Sequence, residues 1–272
     1  MRPLLNKDTQ LCISLAARPS NHGTRFHNYL YDELGLDFIY KAFTTTDIAA
    51  AIGGVRALGI RGCSVSMPFK EDVIALVDDM DASATAIRSV NTIVNDNGVL
   101  RASNTDYIAA ATLIREHQID PATPFLLRGS GGMAKAVAAA LRDSGFENGT
   151  VVARNESSGR ALADELGYRW LATPGSESAP LLVNVTPIGM SGGAEADDLS
   201  FSSDAIQDAT TVFDVVALPA ETPLIRAARQ AGKAVITGAE VIALQAAEQF
   251  ERYTGVRPSA AQILAASEFS RS

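Results

Sequence analysis

A glycine-rich turn between an apolar segment and an alanine-rich segment constrains the fold more than any other feature of this chain. Residues 126–134 read L-L-R-G-S-G-G-M-A, which matches the pattern G-x-G-x-x-A at Gly129, Gly131 and Ala134. The first glycine permits a tight turn, the second lets a pyrophosphate approach the backbone, and the small third residue lets a helix pack closely on a strand. The pattern therefore predicts a unit that binds a dinucleotide; a tight turn without a ligand is the simpler alternative.

The segments around this turn alternate between strand-like and helix-like patterns. The predicted elements are strands at residues 125–127, 150–153, 181–185 and 211–216 and helices at residues 133–143 and 159–166. Strands that alternate with helices of this length indicate a parallel sheet with helices on both faces.

The end of the second strand bears on the choice of cofactor. A carboxylate there binds the ribose 2′-hydroxyl of NAD, whereas an arginine accommodates the 2′-phosphate of NADP. Arg154 occupies this region, and the nearest acid is Glu156. The sequence favours NADP and leaves NAD open, because a single arginine at a strand end is also an ordinary surface charge.

A second α/β region precedes the glycine-rich turn. Its predicted elements are strands at residues 9–15, 38–43 and 62–66, helices at residues 24–34, 47–58 and 106–116, and a hairpin of residues 90–94 and 99–102. The Asn-Gly pair inside the hairpin turn is a strong signal for that motif. The run D-P-A-T-P at residues 120–124 breaks the pattern, and the chain after about residue 241 is predicted to be purely helical. The fold class is therefore α/β, with two α/β domains.

Two residues of the first region carry groups suited to proton transfer. Lys70 follows a strand that ends at Pro68, and Asp106 stands at the start of a predicted helix. A lysine can accept the proton of an alcohol whose carbon loses a hydride, and a neighbouring carboxylate can orient that lysine. A solvated lysine and a helix-capping aspartate are the ordinary explanations of each residue alone.

Composition and charge exclude several other classes of protein. The formal charge of −8 argues against a nucleic-acid partner, because such proteins need a basic surface. No run of about 18 apolar residues is present, so we expect no membrane span, and the N-terminus lacks a signal-peptide core. Cys12 and Cys63 stand apart from each other, and the three histidines include no H-x-x-x-H pair. We expect a cytoplasmic protein without a metal site, and either a monomer or a homodimer.

Six short motifs, in order along the chain, resemble those of the shikimate dehydrogenase superfamily. Residues 64–70 (S-V-S-M-P-F-K) resemble N-V-T-x-P-x-K, residues 89–92 (S-V-N-T) resemble A-V-N-T, and residues 103–106 (S-N-T-D) resemble x-N-T-D. Residues 129–133 resemble G-A-G-G-A, residues 183–190 resemble N-A-T-P-x-G-M, and residues 222–224 with Gln245 resemble the C-terminal region. The resemblance runs nearly end to end.

The resemblance implies reversible, NADP-dependent reduction of 3-dehydroshikimate to shikimate. It implies a substrate domain of residues 1–105 and 240–272 and a Rossmann-type domain of residues 106–239. The implied catalytic pair is Lys70 and Asp106. The implied substrate residues are Ser14, Ser66, Asn91 and Gln245. The implied cofactor residues are Gly129, Ser130, Gly131, Gly132, Met133, Arg154, Val215 and Gly238.

Departures from the family pattern bear on the substrate. The second serine of an N-terminal motif is Ala16, and a tyrosine that usually reaches the substrate is Ala217. The asparagine and threonine that flank Arg154 in the family are Ala153 and Asn155. These changes resemble the shikimate dehydrogenase-like subgroup. Each lost hydroxyl contact costs about 1–3 kcal/mol, so we expect the chemistry with weak turnover of shikimate itself.

Two alternatives remain open at this point. A quinate or aminoshikimate dehydrogenase must accommodate a different substituent, for which Ala16 and Ala217 leave room. A sensor that binds NADP and has lost efficient catalysis would also keep the glycine-rich turn. The presence of both Lys70 and Asp106 counts against the sensor.

Overall fold

Two six-stranded sheets, each with its own helices, divide the chain into two units. The computed structural model describes residues 2–271. The first unit comprises residues 2–108 and 243–271, and the second comprises residues 109–242. The first unit is therefore assembled from two separate parts of the chain, whereas the second is continuous.

The strands of the first unit are β1 (Gln10–Ala16), β2 (Phe38–Thr44), β3 (Gly62–Val65), β4 (Asp79–Met80), β5 (Thr92–Asp96) and β6 (Val99–Ser103). Their order in the sheet is β2-β1-β3-β5-β6-β4. β1 runs parallel to β2 and β3, whereas β5 runs antiparallel to β3 and β6. The predicted hairpin is confirmed, and its turn residues Asn97 and Gly98 have positive φ angles of 54° and 92°. The sheet of the first unit is therefore mixed.

The strands of the second unit are β7 (Phe125–Arg128), β8 (Gly149–Val152), β9 (Arg169–Leu171), β10 (Leu181–Asn184), β11 (Thr211–Asp214) and β12 (Ala234–Ile236). Their order is β12-β11-β10-β7-β8-β9, and every pair is parallel. The first strand of this unit, β7, lies in the middle of the sheet. The chain runs outward through β8 and β9 and then returns to β10 on the other side of β7. Such a switch point is where an open α/β sheet binds ligands, at the carboxyl ends of the strands.

The helices are α1 (His22–Leu34), α2 (Ile48–Ala57), α3 (Ala82–Ile87), α4 (Thr105–Glu116), α5 (Gly132–Asp143), α6 (Glu156–Leu166), α7 (Ser203–Asp208), α8 (Pro223–Gln230), α9 (Gly238–Thr254) and α10 (Ala260–Arg271). A short 3-10 helix spans Asp72–Leu76. Capping residues explain two helix boundaries. The Asn155 side chain accepts from the Ser158 N–H, so α6 begins before the predicted residue 159. The region predicted to be purely helical consists of two helices, because Gly255, with a φ of 74°, ends α9.

The sheet of the first unit separates two apolar clusters, and this places polar side chains on one face. Ile13, Leu15, Val65 and Ile93 pack with α2 and the segment after β3. The alternate residues of the same strands face the other way, where Cys12 and Tyr40 pack against α1 and α9. Because successive side chains of a strand alternate, Ser14, Ser64 and Thr92 lie on the α1/α9 face.

Candidate active site

Lys70 and Asp106 meet in the first unit despite their separation in sequence. The Lys70 Nζ lies 2.6 Å from the Asp106 Oδ2, with the two side chains 22% and 3% exposed. The carbonyl of Lys70 accepts from the Val90 N–H at 2.8 Å, which ties the loop after β3 to the segment before β5. The other carboxylate oxygen, Oδ1, is buried and has no hydrogen-bond partner among residues 2–271. A buried acceptor of this kind requires a donor, and a substrate hydroxyl is a suitable one.

Asp106 does not cap α4, contrary to the ordinary explanation of an aspartate at this position. The Asn104 Oδ1 accepts from the Tyr107 N–H at 3.1 Å and fulfils the capping role. Asp106 therefore lies in the first turn of the helix, where the helix dipole favours a negative charge. Its carboxylate is free to bind Lys70.

The Asn91 side chain is oriented by three donors. Its Oδ1 accepts from the Thr92 Oγ1 at 2.8 Å, the Thr105 N–H at 2.8 Å and the Thr105 Oγ1 at 3.1 Å. These bonds fix which end of the amide is the oxygen. The Asn91 Nδ2 is buried and has no partner among the described residues. Since Thr105 directly precedes Asp106, an unpaired donor and an unpaired acceptor belong to the same small network.

Gln249 supports this network from α9. Its Nε2 donates to the Thr92 Oγ1 at 3.1 Å and to the Asn91 carbonyl at 3.4 Å. Gln249 is 5% exposed. The bonds bring together positions about 160 residues apart in sequence and attach the C-terminal part of the first unit to the Asn91 loop.

The buried His27 ring lies next to this network, and it forms no ion pair within residues 2–271. Its ring stacks on Tyr40 with centroids 4.3 Å apart and an interplanar angle of 8°. Complete burial lowers the pKa of His27 to about 3, and the nearby Gln249 amide opposes this shift. The imidazole is therefore neutral at physiological pH and packs as an aromatic ring.

The other predicted substrate residues are placed differently. Ser14 lies inside β1, and the Tyr40 hydroxyl bonds both Ser14 and Ser64. Ser66 is exposed just beyond the end of β3, and Gln245 is half-buried on α9, one turn before Gln249. No described hydrogen bond joins Ser14, Ser66 or Gln245 to Lys70 or Asp106. Ser66 and Gln245 thus have free polar groups, whereas the Ser14 hydroxyl already has a partner.

The glycine-rich turn of the second unit has the shape that a pyrophosphate needs. Gly129 has a φ of 131°, and a Cβ there would lie 2.9 Å from the Val185 backbone oxygen. A Cβ on Gly131 or Gly132 would meet nothing within 4 Å, so open space adjoins both. Gly131 precedes α5 without a side-chain cap, which leaves the first N–H groups of a 12-residue helix available to phosphate oxygens. Ala134 is fully buried under the turn. These features fit a dinucleotide.

The remaining predicted cofactor residues surround the ends of the central strands. The Ser130 hydroxyl lies 2.8 Å from the Ser158 hydroxyl, and Met133 is half-buried in the first turn of α5. Arg154 follows β8 and is exposed, with its Nη1 3.6 Å from the Glu195 Oε1. Val215 follows β11, and a Cβ on Gly238 would lie 2.5 Å from the Val215 carbonyl oxygen. Only glycine at residue 238 permits this approach of backbone to backbone.

A buried aspartate organises the two family motifs next to Val215. The Asp214 carboxylate accepts from the Asn184 Nδ2 at 2.9 Å, the Thr222 Oγ1 at 2.6 Å and the Val216 N–H at 3.1 Å. Burial raises the pKa of Asp214 above its usual value, and these three hydrogen bonds lower it. The N-x-T-P and T-P-L segments are thereby held together by one carboxylate.

Three residues of the network were not singled out from the sequence. Thr92 and Thr105 stand inside motifs that are visible in the sequence, but a threonine in a motif gives no sign of its partner. Gln249 lies four residues after Gln245, and this helical spacing was the available signal. Among residues 2–271, no group of three metal-binding side chains converges and no helix is long and apolar enough to cross a membrane.

Comparison with known proteins places this geometry in one family. The model of the shikimate dehydrogenase substrate binding domain matches residues 20–93. A shikimate dehydrogenase-like protein of Haemophilus influenzae is 58% identical over 268 residues, which cover 98% of this chain and 99% of that protein.

Two solved structures share the fold of both units. The shikimate 5-dehydrogenase of Thermus thermophilus in complex with NADP(H) and shikimate has a TM-score of 0.85 at 28% identity, covering 96% of this chain and 100% of that one. The quinate dehydrogenase of Corynebacterium glutamicum in complex with NAD has a TM-score of 0.87 at 26% identity, covering 96% and 98%. The chain belongs to the shikimate dehydrogenase family, and within it to the shikimate dehydrogenase-like subgroup.

Proposed function

We propose that this protein is an NADP-dependent dehydrogenase that oxidises a secondary hydroxyl of a polyhydroxylated cyclohexene or cyclohexane carboxylate, with Lys70 and Asp106 as its catalytic pair. The observation that carries the proposal is the set of unpaired groups around this pair. Within residues 2–271, the Asp106 Oδ1 has no donor and the Asn91 Nδ2 has no acceptor, although both are buried. A single substrate hydroxyl, which both donates and accepts, satisfies such a set.

The chemistry separates a hydride from a proton. NADP bound at the glycine-rich turn of the second unit would supply the acceptor for the hydride that leaves the alcohol carbon. In its neutral form the Lys70 amine accepts the hydroxyl proton as the carbonyl forms, and in the reverse direction the ammonium returns it. Asp106 holds the amine at 2.6 Å and balances its positive charge after proton transfer. Asn91 orients the hydroxyl through the amide hydrogens that its own network leaves free.

Ser66 and Gln245 are proposed to bind the remaining hydroxyls and the carboxylate of the substrate. Ser14 is proposed as a weaker contributor, because its hydroxyl must be shared with Tyr40. The loss of serine at Ala16 and of tyrosine at Ala217 removes two further hydroxyl groups that other family members have. We therefore expect shikimate turnover one to three orders of magnitude below that of biosynthetic family members, which corresponds to a total cost of about 1.4–4 kcal/mol for the two lost contacts.

The cofactor is proposed to be bound by the second unit. Its pyrophosphate would lie against Gly131, Gly132 and the start of α5, where a Cβ would meet nothing. Ser130 and Met133 complete this turn, and Arg154 would bind the 2′-phosphate. Val215 and Gly238 would lie beside the nicotinamide, at the carboxyl end of β11.

Quinate oxidation is the second candidate. Two alanines stand where family members carry hydroxyl side chains, and a bulkier or more hydroxylated ring needs such room. The Corynebacterium glutamicum quinate dehydrogenase shares this fold and was solved with NAD, whereas Arg154 favours the phosphorylated cofactor.

Steady-state kinetics with shikimate, quinate and aminoshikimate, each with NADP and with NAD, test the proposal. We expect measurable oxidation of at least one of these alcohols and a low kcat/KM for shikimate. A shikimate efficiency as high as that of biosynthetic enzymes would show that the alanine substitutions do not matter. No oxidation of any of them, with NADP binding intact, would favour the sensor.

A further inference from the structure

The guanidinium proposed to bind the cofactor 2′-phosphate already faces a carboxylate. The Arg154 Nη1 lies 3.6 Å from the Glu195 Oε1, and the two side chains are 77% and 35% exposed. Glu195 comes from the loop after β10, not from the end of β8. Glu156, the acid nearest to Arg154 in the sequence, pairs with Arg160 instead, whose Nε donates to the Glu156 Oε1 at 2.8 Å.

The loop that carries Glu195 is held in place by its backbone. The carbonyl of Glu195 accepts from the Gly189 N–H at 2.8 Å and from the Asp198 N–H at 3.3 Å. Gly189 has a φ of 88°, which suits glycine at the start of this loop. The carboxylate therefore extends from an anchored position rather than from a free loop tip.

A second arginine lies close to the same carboxylate. Arg128 ends β7, the strand next to β8, and its Nη1 donates to the Ser200 carbonyl in the same loop. Burial lowers the pKa of Arg128, the negative charge of Glu195 raises it, and the positive charge of Arg154 lowers it. Two guanidinium groups and one carboxylate thus form a local cluster at the adenosine end of the predicted cofactor site.

The positive and negative charges of this cluster favour different cofactors. A 2′-phosphate carries more negative charge than a carboxylate and must approach Arg154 beside Glu195, so the two anions repel. A ribose 2′-hydroxyl instead needs an acceptor, and a carboxylate near this position is the usual feature of NAD sites. An exposed ion pair changes an equilibrium constant by a factor of about five at most, so breaking this pair opposes phosphate binding only weakly.

We propose that Glu195 sets the preference between NADP and NAD, by competing with the 2′-phosphate for Arg154 and by accepting a hydrogen bond from the 2′-hydroxyl of NAD. This inference rests on the proposed role of Arg154. It implies a cofactor site of mixed character, in which Arg154 serves NADP and Glu195 serves NAD.

Isothermal titration calorimetry of the full chain with NADP+, NAD+ and the fragment 2′,5′-ADP tests the proposal at one ionic strength. Glu195→Gln removes the charge but keeps an acceptor, so NADP+ and 2′,5′-ADP should bind about 3- to 5-fold more tightly while NAD+ stays within about twofold. Glu195→Ala also removes the acceptor, so NAD+ should bind about 3- to 10-fold more weakly. The matched control is Glu177→Gln, which removes an equal charge from the Arg169–Glu177 pair of the same unit and should change neither affinity.

Failure of this inference can be distinguished from failure of the proposed function. Arg154→Ala should weaken NADP+ by about tenfold or more, as the loss of a charge-assisted phosphate contact requires. If Arg154→Ala weakens NADP+ but Glu195→Gln leaves it unchanged, or shifts NADP+ and NAD+ equally, the role of Glu195 is overturned alone. If Arg154→Ala has no effect on NADP+, the proposed cofactor site itself is wrong.

Discussion

At the scale of single residues, the site depends on which groups remain unpaired after the chain folds. Thr92 and Thr105 donate three hydrogen bonds to the Asn91 Oδ1. Gln249 donates to the Asn91 carbonyl and the Thr92 Oγ1, and the Asn91 Nδ2 has no partner among residues 2–271. Lys70 binds one oxygen of Asp106 and leaves the other free. The positions of these free groups follow from buried hydrogen bonds, which resist rearrangement because an unpaired buried group costs about 1–3 kcal/mol.

Gln249 should therefore act as a positioning residue for the substrate. Gln249→Leu keeps the side-chain volume but removes the donor to Thr92, so the Asn91 amide loses part of its support. We expect KM for the best alcohol to rise about 3- to 10-fold, with NADP affinity unchanged because Gln249 belongs to the first unit. Steady-state kinetics and calorimetry measure the two quantities. A matched Gln230→Leu variant, on the exposed end of α8, should leave KM unaltered; an unchanged KM in Gln249→Leu itself would remove Gln249 from the account.

At the scale of elements, the two units use their secondary structure for different purposes. In the second unit the β7–α5 turn is proposed to present its backbone to the cofactor, so we expect glycines to matter more than side chains there. In the first unit the β1–β3 sheet and helices α1 and α9 enclose polar and aromatic side chains. Predictions for the two units therefore differ in kind.

The glycine-rich turn allows binding and folding to be separated by two substitutions. Gly131 has a φ of −83°, which alanine adopts without strain, so Gly131→Ala should keep the melting temperature while its methyl group enters the open space beside the turn. NADP affinity should fall by about tenfold or more, because phosphate oxygens lose N–H donors. Gly129 has a φ of 131°, and a Cβ at this position would lie 2.9 Å from the Val185 carbonyl oxygen. Gly129→Ala should therefore lower the melting temperature as well. Equal NADP affinity of Gly131→Ala and the natural chain would contradict a pyrophosphate at this turn.

Buried His27 should make the first unit sensitive to acid. Its folded pKa of about 3 lies below the ordinary 6.5, so the unfolded chain binds the proton more readily and stability is lost as pH falls below 6.5. Linkage gives a loss of about 2 kcal/mol in the free energy of unfolding between pH 7 and pH 5. Urea titrations at the two pH values measure it. His27→Phe keeps the stacking on Tyr40 and should reduce the loss by about 2 kcal/mol. The remainder of the measured loss comes from His22, whose pKa burial lowers to about 4; an undiminished pH dependence in His27→Phe would assign the whole effect to other groups.

Much of the element structure was predictable from local patterns, and the exceptions have physical causes. The hairpin, the β7–α5 turn and the alternation of strands and helices depend on residues close in sequence. The start of α6 and the break at Gly255 depend on caps that a periodicity does not reveal. For the site, Lys70 and Asp106 were recognisable through their motifs. The Gln249–Thr92 bond and the Glu195–Arg154 pair were not, because each joins distant positions that only the folded chain brings together.

At the scale of the whole molecule, the proposed substrate chemistry and the proposed cofactor binding belong to separate parts of the chain. The proposed catalytic pair and the Asn91 network lie in residues 2–108 and 243–271, whereas the glycine-rich turn and Arg154 lie in residues 109–242. Substitutions in the first unit should therefore change substrate kinetics, and substitutions in the second should change cofactor affinity.

The Lys70→Ala variant tests the central claim most directly. Turnover of the best alcohol and NADP affinity are measured on the same preparation, with Lys41→Ala, an exposed lysine on β2, as the matched control. We predict a loss of kcat by a factor of about 10²–10⁴, because the group that accepts the hydroxyl proton is gone. We predict an NADP dissociation constant within about twofold of the natural chain, because the cofactor residues lie in the other unit. Unchanged turnover in Lys70→Ala would contradict the account.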